Sequence, residues 1–229
     1  MKGVSRYART CDEGDDVRVL LIDTCGDEGS VALSDGAAIV AVERLPARGS
    51  SSALLPAIGQ LLEVKGWVLA ELDGIGVVTG PGSFTGVRVG LAAAKGLCEA
   101  AGIPLIGVSR LEALAGAAKM DAGVAVLNAG RGEFYVRVVG AEAREVLCGM
   151  EDLRGLAEGG KVVIAEEKLV EMLAELRPSL VAVSVEDALP LVLRDLQAGA
   201  VDAAMVDANY VRNEQQIYAK PKVVAEPAG

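Results

Sequence analysis

The sequence predicts an α/β protein built from two similar subdomains that face each other across a cleft. Three observations carry that expectation. Strand-like apolar runs alternate with amphipathic helical stretches over most of the 229 residues. Each half contains a meander of strands, which implies mixed rather than purely parallel sheets. The order of elements in the first half, a meander and then helix and strand in alternation, is echoed in the second, although no residue-level repeat is visible.

In chain order, Met1–Asp16 is polar and aperiodic and reads as a disordered extension. The first subdomain, residues 17–108, starts with strands at Val17–Asp23 (VRVLLID) and Ser30–Ser34, then an Asp35-Gly36 turn into Ala37–Glu43. Ser51–Val64 forms an amphipathic helix with Leu54, Leu55, Ile58, Leu61 and Leu62 on one side. Ser51 or Ser52 can cap it, and Pro56 falls near the first turn, where its missing N–H is harmless. A strand at Ile75–Thr79, a glycine turn, a helix through Leu91–Ala101 and a strand at Ile103–Val108 complete this half.

The second subdomain, residues 109–212, opens with a helix at Ser109–Ala118, where Ser109 and Glu112 form a capping box. Strands at Gly123–Asn128 and Glu133–Val139 are joined by Ala129-Gly130-Arg131-Gly132, and Ala143–Leu147 pairs with them. Helices then follow at Glu151–Glu158, Lys168–Leu176 and Ala188–Ala198, with strands at Lys161–Ala165 and Ser179–Val185. The last helix is able to pack back on the first subdomain, and residues 213–229 form a tail.

Composition narrows the chemistry. The chain is 52% hydrophobic but only 3% aromatic, so the core rests on Ala, Val and Leu. A net charge of -10 argues against gripping a phosphate backbone unaided, because that attraction comes from clustered Lys and Arg. There is no histidine, which removes histidine zinc sites, Ser-His-Asp triads and Cys-His dyads together. Cys11, Cys25, Cys98 and Cys148 form no C-x-x-C pair and read as free thiols of a reducing cytosol. No apolar run approaches the ~20 residues of a membrane span, and Met1–Asp16 has no apolar segment of the kind a signal peptide carries. A cytoplasmic protein without a membrane partner is expected.

The stretch with most character is Gly80–Gly90, GPGSFTGVRVG. Strand, glycine turn and helix is the setting of nucleotide loops. Yet no window fits G-x-x-x-x-G-K-[ST], and Gly80, Gly82 and Gly86 miss G-x-G-x-x-G by one residue. What remains is a turn, a Ser83 N-cap and a helix with Gly86, Gly90 and Ala93 or Ala94 along one ridge. Small residues at that spacing let another helix approach closely. The ridge either packs inside the protein or serves as an association surface. The second reading makes Thr85, Gly86, Arg88, Val89, Gly90, Ala93 and Leu97 a partner interface, with Arg88 and Lys95 as rim charges.

At these residues the sequence resembles the bacterial TsaB family, also called YeaZ. GIGVVTGPGSFTGVRVGLAAAKGL and the following GIPLIGVSRLEALA carry the resemblance, supported by LLIDT, SVAL, LLPAI, LNAGRGEFY and the later NYVR. It implies the duplicated fold of the actin, Hsp70 and sugar-kinase ATPases, two subdomains with mixed five-stranded sheets and flanking helices. It also implies a non-catalytic partner in making threonylcarbamoyladenosine in tRNA beside the anticodon. Such a chain binds a homologous TsaD-type transferase, joins a TsaE-type ATPase, forms a homodimer when isolated and meets tRNA only through the complex. ATP or ADP and a metal then belong to the partner subunits, and this chain has no cofactor of its own.

Two departures stand out. The family often carries a histidine before the first helix, where this chain has Arg48-Gly49-Ser50-Ser51, and an acidic residue where it has Asn128. In the ATPase superfamily the aspartate ending the first strand orients Mg-nucleotide; here Asp23 and Thr24 are either a vestige of that site or a structural turn. Arg131, Gly132 and Glu133 form either an ordinary hairpin turn or a family surface contact. Other readings are an ATP-binding kinase-like enzyme with its own turnover and, far poorer, a glycoprotease-type peptidase, which lacks every expected ligand and dyad.

Overall fold

A computed structural model describes residues 17–47, 49–199 and 206–209. The expected N-terminal extension, Cys11, Arg48, the tail at 213–229 and residues 210–212 of the NYVR stretch lie outside the described residues. In chain order the elements are β1 (Arg18–Asp23), β2 (Gly29–Asp35), β3 (Ala38–Leu45), α1 (Ser50–Lys65), β4 (Gly74–Val78), α2 (Phe84–Ala101), β5 (Leu105–Val108) and α3 (Arg110–Ala117). They continue as β6 (Gly123–Gly130), β7 (Glu133–Val139), β8 (Arg144–Gly149), α4 (Met150–Leu156), β9 (Lys161–Ile164), α5 (Lys168–Met172), β10 (Ser179–Leu180) and α6 (Leu189–Gln197).

Two five-stranded sheets result, ordered β3-β2-β1-β4-β5 and β10-β9-β6-β7-β8. Numbered within its own half, each sheet runs third-second-first-fourth-fifth. The duplication expected from element order is therefore present in the topology of the two sheets. Both sheets are mixed. The β1–β2 and β2–β3 pairs are antiparallel, while β4 joins β1 and β5 in parallel. Every residue of β4 (GIGVV) is buried, as suits a parallel strand covered on both faces.

Helices α1 and α2 cover one face of the first sheet, with Leu54, Ile58, Leu91 and Ala94 packed on Leu20, Ile22, Val31 and Ile75. On the opposite face lies α6, the last helix among the described residues, whose Val192 and Leu189 pack among Val19, Leu21, Ile106 and Val108. Glycines make room for it. A Cβ on Gly76 would fall inside 3.0 Å of Val192, and one on Gly74 would crowd Leu196. In the second half α3 lays Leu111 and Leu114 on Ala125, Leu127 and Val163 of the second sheet.

Several local expectations are corrected. The N-cap of α1 is Gly49 in the left-handed region, with no side-chain cap; Ser52 Oγ instead donates to Gly49 O. Pro56 lies inside α1 rather than in its opening turn, and the helix is held there by burial of Leu54, Ala57, Ile58 and Leu61. Leu55 is 54% exposed, so it leaves the expected apolar side. The capping box of α3 is half formed: Ser109 Oγ accepts from Glu112 N, but the Glu112 carboxylate turns to Arg194 and Arg137. The strand expected at Ser179–Val185 ends at Leu180, because the chain leaves the second sheet to bury Val185 and Ala188 against the first. The helix expected at Lys168–Leu176 breaks into α5 and a short 3-10 turn at Ala174–Leu176.

Candidate functional site

The Gly80–Gly90 stretch is built around the turn that follows β1. Gly80 has φ 102°, a conformation that suits glycine, and its carbonyl accepts from Arg110 N at 2.7 Å. Ser83 caps α2 by accepting from Gly86 N at 3.3 Å, as its place in the sequence suggests. Its own N–H donates to Cys25 O at 2.8 Å. The Thr24 hydroxyl, buried to 4% exposure, donates to Gly86 O at 2.6 Å.

The glycines make this embrace possible. A Cβ on Gly82 would meet the Cys25 backbone, one on Gly86 the Thr24 carbonyl, and one on Gly90 the Thr24 hydroxyl, all inside 3.0 Å. The small-residue ridge therefore faces inward, and the reading of Gly86 and Gly90 as a bare outward surface is corrected. The element that approaches closely is not another helix but the Thr24-Cys25 backbone. The motif clasps its own neighbouring turn.

The other face of α2 is open. Thr85, Arg88, Ala92, Gly96 and Glu99 are exposed, and Phe84 is 43% exposed with the Arg88 guanidinium 3.8 Å above its ring. Val89, Ala93 and Leu97 are half-buried and pack beside the α1–α2 core. Of the residues expected to form one interface, Thr85 and Arg88 point outward, these three lie at its flank, and Gly86 and Gly90 sit behind. Lys95 is half-buried on the same helix.

Asp23 makes a local turn, its Oδ1 accepting from Cys25 N at 2.8 Å. Asp27 and Glu28 stand exposed on the same loop. Sequence reasoning missed Arg110, which sits at the start of α3 yet brings Nη2 to 3.4 Å from the place a Gly26 Cβ would occupy. No local pattern could have revealed that approach, because it spans more than eighty residues of chain.

In the second half, Arg131 (φ 56°) and Gly132 (φ 78°) form the hairpin turn between β6 and β7, both residues in the left-handed region that such turns require. Arg131 and Gly132 are exposed and Glu133 is half-buried. Asn128 supports this turn, its Oδ1 accepting from Gly130 N at 2.6 Å while its own N–H donates to Glu166. Among the described residues, no group of three or more His, Cys, Asp or Glu is placed to hold a metal ion, and no helix is long and apolar enough to cross a membrane.

Cys25, Cys98 and Cys148 are free thiols. Burial, reinforced by Asp23, raises the Cys25 thiol well above its ordinary 9.0. Burial pushes Cys98 up to about 12, and burial with Asp152 raises Cys148. These thiols keep their protons in the folded state where the unfolded chain loses them. Their contribution is therefore complete below about pH 9 and declines as the pH rises beyond it. For Cys25 the expected slope is about 1.4 kcal/mol per pH unit. Urea unfolding between pH 8 and 11 should show this decline, and a shallower one in Cys25→Ala.

Comparison with known proteins agrees with this architecture. The family model described as "TsaD: tRNA N6-adenosine threonylcarbamoyltransferase" matches residues 42–185. The TsaB protein of Escherichia coli is 37% identical over 123 residues, 52% of this chain and 53% of that protein. The TsaB protein of Haemophilus influenzae is 36% identical over 121 residues, 51% of each chain. The chain thus spans about half the length of the curated TsaB proteins it matches. A crystal structure from Pseudomonas aeruginosa, described as similar to peptidase YeaZ, superposes with a TM-score of 0.72 at 25% identity, covering 86% of this chain and 100% of that one. Since the family model matches more than half of the residues, the chain belongs to that family, among its TsaB/YeaZ members.

Proposed function

We propose that the chain is a non-catalytic subunit of the machinery that makes N6-threonylcarbamoyladenosine in tRNA, and that it binds and activates a TsaD-type transferase. The observation that carries this reading is the division of labour on α2. Its glycine face is occupied by the protein's own Thr24-Cys25 turn, while Phe84, Thr85 and Arg88 remain exposed on the other. An aromatic ring stacked with an arginine is the kind of anchor that dominates interfaces. The half-buried Val89, Ala93 and Leu97 supply an apolar flank.

The chemistry available in the chain supports the partner role. With no histidine in the sequence, histidine metal ligands and the Ser-His or Cys-His dyads of a peptidase have no counterpart. The chain takes no nucleotide of its own in this reading. The Thr24 hydroxyl and an Asp23 oxygen are spent on internal hydrogen bonds, and two exposed carboxylates crowd the same turn. ATP or ADP and any metal belong to the partner subunits, a TsaD-type transferase and a TsaE-type ATPase. The net charge of -10 suits a subunit that meets tRNA through the complex. A second copy of the chain uses the same α2 face when the transferase is absent.

Reconstitution tests this. The purified chain incubated with tRNA and the threonylcarbamoyl donor should give no modified nucleoside. Adding it to the transferase and ATPase should raise product formation at least tenfold over those two alone. Robust modification by the chain alone would remove the proposal.

A further inference from the structure

A polar network joins the two lobes at a place the association reading does not use. Arg194 on α6, the helix seated on the first sheet, pairs with Glu112 of α3 at 3.0 Å. Glu112 lies 3.5 Å from Arg137 on β7, which pairs with Glu145 on β8 at 3.1 Å. Glu145 also accepts from Asn209 Nδ2 at 2.6 Å and from Ser109 Oγ. The side chains of Glu145, Arg137 and Glu112 are only 14%, 20% and 26% exposed, so these contacts are partly shielded from water and salt. Arg194 donates hydrogen bonds to Asp195 and to Glu112, and these two, Asp195 first, raise it above its ordinary value.

Asn209 is the member with two allegiances. Its backbone N–H donates to Thr79 O at 2.8 Å, at the end of β4 just before Gly80. Val206, three residues earlier, fills the space left by Gly107 on β5, where a Cβ would come within 2.8 Å. Ala208 also packs against the first-sheet core. The segment Val206–Asn209 therefore lies along the first lobe by its backbone and apolar side chains, and reaches the second lobe through a single amide.

We propose that Val206–Asn209 is a strap, and that the Asn209–Glu145 hydrogen bond is the clasp by which it fixes the orientation of the second lobe against the first. The mechanics follow from the chemistry. A carboxylate that serves both Arg137 and the Asn209 amide ties β8 to the end of β4, where the glycine motif begins. With the clasp open, the strap keeps its contacts with the first lobe but no longer tethers β8. Among the described residues the lobes are then joined at this seam through α3, the Arg194 pair and the segment from Val181 to Ala188. The clasp thus restrains how the second lobe sits against the first.

Charge exchange in the isolated full-length chain tests the clasp, with hydrogen exchange read on peptides covering Val206–Asn209 and Arg144–Gly149. Asn209→Asp sets two carboxylates against each other, and exchange in both segments should rise at least tenfold, the scale of losing a hydrogen bond to a charged group. Adding Glu145→Gln restores one donor and one acceptor with their roles reversed. The double variant should return both segments to within threefold of the parent, a coupling that a merely local effect at either site would not give. Asn209→Ala removes the bond without repulsion, and covers the case in which the aspartate variant fails to fold. It should also loosen both segments. Unchanged exchange in Asn209→Ala, or a double variant no better protected than Asn209→Asp, would overturn the proposal.

Discussion

Gly90→Leu is expected to lower the melting temperature of the chain by about 6–12 °C, the shift that about 3 kcal/mol of overpacking produces in a protein of this size. Even a Cβ at this position would fall inside 3.0 Å of the Thr24 hydroxyl, and Thr24 is anchored through its bond to Gly86 O. Gly86→Trp should be as damaging or worse, because the obstacle there is the Thr24 backbone rather than a side chain able to rotate. Gly96→Leu makes the control. It lies on the same helix, and its Cβ would meet nothing within 4 Å. Leucine is also the better helix former by about 0.5–1 kcal/mol, so this variant should melt no lower than the parent. Equal losses in Gly90→Leu and Gly96→Leu would mean that the clasp on Thr24 is not what the motif provides.

The second large effect is expected on association rather than stability. Thr85→Trp and Arg88→Glu alter the outer face of α2. Thr85 is exposed there, and Arg88 stacks on Phe84. Each should weaken binding of the TsaD-type transferase by about 30-fold or more, the loss that follows from about 2 kcal/mol at an anchor position. Melting of Thr85→Trp should change little, since surface substitutions away from packed features usually stay within about 0.5 kcal/mol. The contrast with Gly90→Leu separates the two faces of one helix: one holds the protein together, and the other is the face proposed to meet a partner.

Much of this was legible in the sequence, for physical reasons that particular elements show. Strands β1, β2, β4 and β7 were found within a residue or two because continuous or alternating apolar runs report burial directly. The Ser83 cap was legible because a cap acts within three residues. The Gly86–Gly90 ridge was legible as a close approach, but not in its direction: spacing shows that something comes near the helix, not what. The strand read at Ser179–Val185 failed because its alternating pattern was overridden by a demand from the other lobe, where Val185 is buried. Arg110, Glu145 and Asn209 carried no local signal of the contacts they make. The Asn209–Glu145 contact joins residues 64 apart, and the Asn209–Ser109 contact residues 100 apart.

The most direct test of the account is a titration of the parent chain and Thr85→Trp with the TsaD-type transferase of the same organism, with melting curves of both forms. The account predicts a saturable complex for the parent, binding at least 30-fold weaker for Thr85→Trp, and melting temperatures that agree within about 2 °C. Equal affinity of the two forms for the transferase, or no complex with the parent chain at all, would contradict it.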